Sequence, residues 1–137
     1  MIARTPSPLR SARLLLDTHV WLWWQGDDPR LAKTARTAIT GAAEVYISAA
    51  SAWEMAIKTA LGKLEAPYDL TDAVRTGGFQ ELPVLFRHVA ALAALPRHHR
   101  DPFDRILLAQ AAADGLTLVT ADPMIPPYGT PLLWAAR

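Results

Sequence analysis

The chain has 137 residues, 51% of them hydrophobic and 20% charged, with a formal net charge of +1 and no cysteine. That size and balance predict one domain with its own core and exclude a disordered chain. The missing cysteine excludes disulfide frameworks, cysteine-based zinc sites and thiol nucleophiles. No apolar run reaches the roughly 18 residues of a membrane span, so the expectation is a soluble, cytoplasmic protein.

Residues 1–12, marked by Pro6 and Pro8, predict a loose N-terminal extension before a single domain over 13–137. Arg13–Leu16 reads as a short buried strand, and Val20–Trp24 as a compact helical turn ended by Gln25-Gly26-Asp27. Asp28-Pro29 has the cap and first-turn pairing of a helix start, predicting a helix to about Thr40 with Gly41 as its stop. Val45–Ile47 is a second β-rich run. Ser48 then caps a helix whose apolar side, at helical spacing, is Trp53, Ile57, Ala60, Leu61 and Leu64.

Asp69–Thr76 predicts a short helix closed by Gly77-Gly78. Phe79–Leu85 is a strand candidate weakened by Pro83, and Phe86–Leu95 reads as a helix stopped by Pro96. After the basic loop Arg97-His98-His99-Arg100 comes the helix Pro102–Asp114, with Gly115 beyond its end. Leu116–Thr120 is the clearest strand, and Leu132–Trp134 an edge-strand candidate. Strands alternating with helices predict an α/β fold: a mainly parallel sheet with helices on both faces.

Four acids stand where apolar runs meet turns or helix starts. Asp17 follows three leucines, Glu54 follows Trp53, Asp104 opens an apolar helix and Asp122 follows Leu116–Ala121. Carboxylates on separate elements of such a fold meet at the sheet's C-terminal edge. Gathered there they repel unless a hard cation such as Mg²⁺ neutralises them. Each acid also has an architectural reading. Asp101-Pro102 caps a helix with Asp104 at its third position, Asp122-Pro123 begins a turn, and Glu54 pairs with Lys58 four residues on.

The same blocks carry a family resemblance. Leu16-Asp17-Thr18, the stretch Ser48–Lys58, His99–Leu107 with Ala109-Gln110-Ala111, and Leu118–Asp122 occur in the order of the motifs of PIN-domain nucleases. The chain resembles in particular the VapC-like toxins of bacterial toxin–antitoxin pairs, over about residues 13–134. The resemblance implies a three-layer α/β/α sandwich, Mg²⁺ or Mn²⁺ dependence, endoribonuclease action on RNA, and two partners: a VapB-like antitoxin and a second copy of the chain. Carried over by motif, the catalytic and metal-holding acids are Asp17, Glu54, Asp104 and Asp122. Asp101 is a second acid of the third block, either a cap or a contact to metal through water. Thr18 and Thr120 match hydroxyl positions beside the acids, either orienting the ligands or standing as ordinary strand-end threonines.

Arg97, Arg100 and Arg105 are candidates to attract RNA phosphates to an acidic site, the alternative being a solvated loop with Arg105 paired to a nearby acid. His98 and His99 lack the further His or Cys that zinc needs. Trp21, Trp23, Trp24 and Trp53 invite base stacking, against core packing or an oligomer interface. The run Val20–Trp24 is apolar enough to predict contact with a partner. Two other readings compete: a catalytically inactive PIN-like module that only binds RNA or protein, and a phosphatase with Asp17 as nucleophile. The second usually wants an acid two residues on, where His19 stands.

Overall fold

The structure, a computed structural model, describes residues 12–65, 69–96, 101–125 and 131–137. The three leucines of Arg13–Leu16 (β1) are all buried, because both faces of the strand are covered. Leu14 and Leu16 point into one apolar cluster and Leu15 into another, as alternation along a strand requires. β1 pairs in parallel with Glu44–Ser48 (β2) on one side and Thr117–Thr120 (β4) on the other. Gln80–Leu82 (β3) and Leu132–Trp134 (β5) form the edges of a five-stranded parallel sheet ordered β3-β2-β1-β4-β5.

Two helices make each crossover among the first four strands. They are α1 (Thr18–Gln25) and α2 (Lys33–Gly41), then α3 (Ala49–Ala60) and α4 (Leu70–Thr76), then α5 (Phe86–Ala94) and α6 (Pro102–Asp114). Val20 and Trp21 of α1, Ala35 and Ile39 of α2, Met55 of α3 and Val74 of α4 pack on the face that carries Leu14 and Leu16. Leu107, Leu108 and Ala111 of α6 cover the Leu15 face. The result is the expected α/β/α layering. Strand order reverses between β1 and β4, so a crevice opens beyond their C-terminal ends.

Three expectations change. Asp28-Pro29 does not start a helix, since α2 begins at Lys33. Asp28 instead accepts the Arg30 amide in a local turn, Leu31 bridges Ala136, and the Ala32 amide donates to the Ala135 carbonyl. Pairing with the C-terminal segment holds residues 31–32 extended.

The apolar stripe of α3 does not face the core either. Its buried residues are Ala50, Ser51, Glu54 and Met55, whereas Trp53 and Leu61 are 64% and 63% exposed. Small residues let the helix approach closely, with the Thr18 hydroxyl donating to Ser51 Oγ at 2.9 Å. Finally, Val20–Trp24 needs no partner to cover it: Val20 and Trp21 are fully buried, and Leu22, Trp23 and Trp24 pack against the same cluster.

Local signals hold elsewhere. Ser48 caps α3 by accepting the Ala50 amide, Gly115 ends α6 at φ +67°, and Pro83 closes β3 after three residues. Among the described residues no helix is long and apolar enough to cross a membrane.

Candidate active site

Asp17 is the first residue beyond β1 and the N-cap of α1, and its amide still pairs with the Val119 carbonyl at 2.9 Å. That anchor at the β1–β4 switch point aims the carboxylate into the crevice while leaving it only 4% exposed. The Thr120 hydroxyl donates to Asp17 Oδ2 at 2.8 Å and accepts the Asp122 amide at 3.1 Å. One hydroxyl at the end of β4 thus ties two of the acids together, and the amide fixes which way it donates. Burial pushes the Asp17 carboxyl above its ordinary range. The Thr120 hydrogen bond, His19 and the Thr18 backbone oppose that rise, and the negative charge of Glu54 adds to it.

Glu54 reaches the same place from the buried face of α3, 6% exposed. Its Oε2 lies 3.0 Å from Lys58 Nζ, so the predicted i,i+4 pair exists at the mouth of the crevice. Asp101 caps α6, accepting the Phe103 amide at 2.9 Å and the Asp104 amide at 3.4 Å, and Asp104 stands on the first turn. Asp122 opens a turn by accepting the Met124 amide at 2.9 Å. Asp17, Glu54, Asp101, Asp104 and Asp122 all line one cavity of about 350 Å³, together with His19, Trp23 and Lys58. Architectural and cavity positions therefore coincide at Glu54, Asp101 and Asp122.

Among the described residues the cavity wall carries five carboxylates and one lysine ammonium, a set rich in hard oxygen donors. Such a set suits Mg²⁺ or Mn²⁺ rather than a soft metal. Among the described residues no three His, Cys, Asp or Glu side chains converge as a closed set of ligands. Like charges keep apart, and Asp17 and Glu54 turn to Thr120 and Lys58. The donor chemistry fits a hard divalent cation; holding one requires these side chains to turn inward.

The hydroxyl of Thr18 binds Ser51 rather than an acid, locking α1 to the helix that carries Glu54. Arg105 donates to the Pro96 carbonyl at 2.7 Å and approaches the Leu92 and Leu95 carbonyls, so it holds the end of α5. Arg97, His98, His99 and Arg100 lie outside the described residues. Sequence reasoning missed His19, Trp23 and Lys58 as cavity walls. The signal was present: His19 and Trp23 are four apart on α1, and Lys58 is four beyond Glu54, spacings that place side chains on one helical face.

Residues 14–128 match the PIN domain family. Over 118 residues the chain is 37% identical to Ribonuclease VapC22 of Mycobacterium tuberculosis, covering 80% of this chain and 86% of that protein. The fold is similar to that of VapBC2 from Rickettsia felis, solved bound to a DNA fragment of its promoter. That likeness has a TM-score of 0.64 at 12% identity, over 89% of this chain and 98% of the other. A toxin–antitoxin complex from Klebsiella pneumoniae matches with a TM-score of 0.58 at 18% identity, over 90% and 97% of the two chains. FitAcB from Neisseria gonorrhoeae matches with 0.61 at 18%, over 88% and 96%. At such identities these structures establish a shared fold.

Proposed function

The chain belongs to the PIN-domain family, and from that premise we propose that it is a divalent-metal-dependent endoribonuclease, the toxin of a toxin–antitoxin pair. The observation that carries this reading is the gathering of Asp17, Glu54, Asp104 and Asp122, from four separate parts of the chain, around one cavity at the sheet's switch point. Its relative VapC22 is named a ribonuclease. In this reading the four acids hold Mg²⁺ or Mn²⁺. When bound, such an ion supplies Lewis acidity for phosphodiester hydrolysis.

The chain's own residues do the rest. Thr120 holds the Asp17 carboxylate in position and, through the Asp122 amide, couples it to the second strand-end acid. Lys58 pairs with the Glu54 carboxylate on a largely buried helix face and so fixes where it lies. Asp101 fixes the first turn of α6 and so the placement of Asp104. Loss of one of these acids would mark an inactive binding module; all four are present and line the cavity.

The antitoxin partner, VapB-like by the same resemblance, finds a surface beside the acids. An apolar groove of about 460 Å³ runs between α3 and α6, walled by Trp53, Leu92, Phe103 and Ile106. Trp53 packs edge-on against Phe103, with ring centroids 5.1 Å apart, and stays 64% exposed. An apolar antitoxin segment seated there would lie next to Glu54 and Asp104. The homodimer belongs to the same proposal.

Cleavage-site mapping on total RNA tests the function. The wild type with Mg²⁺ should cut RNA and lose the activity with EDTA. Asp17→Asn, Glu54→Gln, Asp104→Asn and Asp122→Asn should each cut more than about 100-fold slower, beyond the usual effect of removing a group that merely supports a ligand. A variant that keeps the wild-type circular dichroism and full activity removes its residue from the site; an inactive wild type removes the reading.

A further inference from the structure

A second cavity, of about 380 Å³, adjoins the acidic one and shares three of its walls, His19, Trp23 and Lys58. Its charge is opposite. Arg30, Lys58 and Lys63 face it, with Asp28 as the lone carboxylate in its wall. Arg30 is built into place rather than loose. Its guanidinium lies over the Trp23 ring, 5.2 Å from the centroid, and is gripped by Asp28 at 2.7 Å, yet its side chain stays 69% exposed. Lys63 follows Gly62, which turns the chain at φ +72°, and its amide is pinned to the Lys58 carbonyl at 2.9 Å.

We propose that this cavity is the subsite for single-stranded RNA flanking the cleaved bond, with Arg30 and Lys63 on backbone phosphates and the Arg30–Trp23 stack receiving a base. The inference rests on the nuclease reading and adds where the substrate lies. An acid-lined cavity repels a polyanion, and cations close by add to a bound metal ion in offsetting that repulsion as a strand approaches. Arg105, a candidate for that task from the sequence, is committed to the end of α5. A contiguous wall that passes from carboxylates through Lys58 to Arg30 and Lys63 suits a strand with one phosphate among the acids and its neighbours among the cations. An aromatic face backed by a guanidinium suits an unpaired base, since stacking tolerates any sequence. Three cationic side chains beside the aromatic face favour a polyanion over an apolar protein segment.

The test is fluorescence anisotropy of a labelled mixed-sequence RNA 20-mer, with Asp17→Asn as parent so that the strand survives. Adding Lys63→Gln and Arg30→Gln together should weaken binding roughly tenfold and flatten the plot of log affinity against log salt by about 1.4, the value for two phosphate contacts on a single strand. Trp23→Leu should weaken binding about fivefold or more and leave the slope unchanged. In the otherwise wild-type chain, Lys63→Gln with Arg30→Gln should preserve the melting-temperature rise on adding Mn²⁺, which reports on the neighbouring acids. Unchanged RNA affinity and slope in the double variant would overturn the subsite while the nuclease reading stands. Weakened binding of a poly-glutamate peptide with RNA binding intact would also overturn it, reassigning the cavity to an acidic protein. No RNA binding by the parent would remove both.

Discussion

Asp17, beyond β1, and Asp114, at the end of α6, are both carboxylates in largely buried surroundings, and the chain treats them in opposite ways. Asp114 is saturated. Arg87 grips it through two nitrogens at 2.9 and 3.1 Å, and His88 Nε2 lies 2.9 Å away. Hydrogen bonds from Arg87 lower its pKa to about 2, with His88 contributing in the same direction. His88 is itself fully buried, and its Nδ1 accepts the Leu85 amide at 2.9 Å, so the proton sits on Nε2 and is donated to Asp114. With both ring nitrogens committed, this His–Asp pair joins α5 to α6 and has no proton left for chemistry.

Asp17 has a hydroxyl and backbone support but, among the described residues, no cation at hydrogen-bonding distance, and other carboxylates share its cavity. Burial raises its pKa where pairing lowers that of Asp114. A buried charge that is fully paired marks architecture; one left in excess marks a site that expects a ligand.

The largest expected effect attacks the saturated side. Asp114→Ala leaves a buried His88 donor and the Arg87 guanidinium without their acceptor, which should cost about 2–4 kcal/mol in urea unfolding at pH 7. Its pH dependence follows from the sign of the shift. A folded pKa below the unfolded value gives stability that is complete above about pH 4 and is lost as the pH falls toward 2. The wild type's advantage over Asp114→Asn should shrink across that window. A constant difference down to pH 2 would separate Asp114 from this role.

A smaller effect is expected at the junction between the two strand-end acids. Thr120→Val keeps the shape and removes the hydroxyl that orients Asp17, so RNA cleavage should slow about 10- to 100-fold. Thr120→Ser should restore most of it. Equal rates in all three proteins would show that the hydroxyl merely fills a strand end.

Much of this was legible before any coordinates. Arg13–Leu16 and Leu116–Thr120 could be read as strands because both faces of a central parallel strand are apolar. Asp101-Pro102 and Gly115 bracketed α6 because caps are local chemistry. Asp28-Pro29 carried the same signal and misled, since pairing of residues 31–32 with the C-terminal segment overrode it. The apolar stripe of α3 misled as well. Periodicity identifies a face but not its destination, and here the tighter approach was made by Ala50, Ser51 and Met55. The four acids were readable one block at a time. Arg30 and Lys63 were not, since they are far apart in sequence and only the fold puts them in one wall.

In the proposed nuclease the Asp17 carboxylate is kept at the expense of stability in order to hold a cation. Urea unfolding of Asp17→Asn and wild type at pH 7, each with EDTA and with Mn²⁺, tests it most directly. The account predicts that the variant is the more stable protein in EDTA, because a buried charge is gone, and that Mn²⁺ stabilises the wild type but not the variant. A variant that is less stable in EDTA and gains as much from Mn²⁺ as the wild type would contradict it.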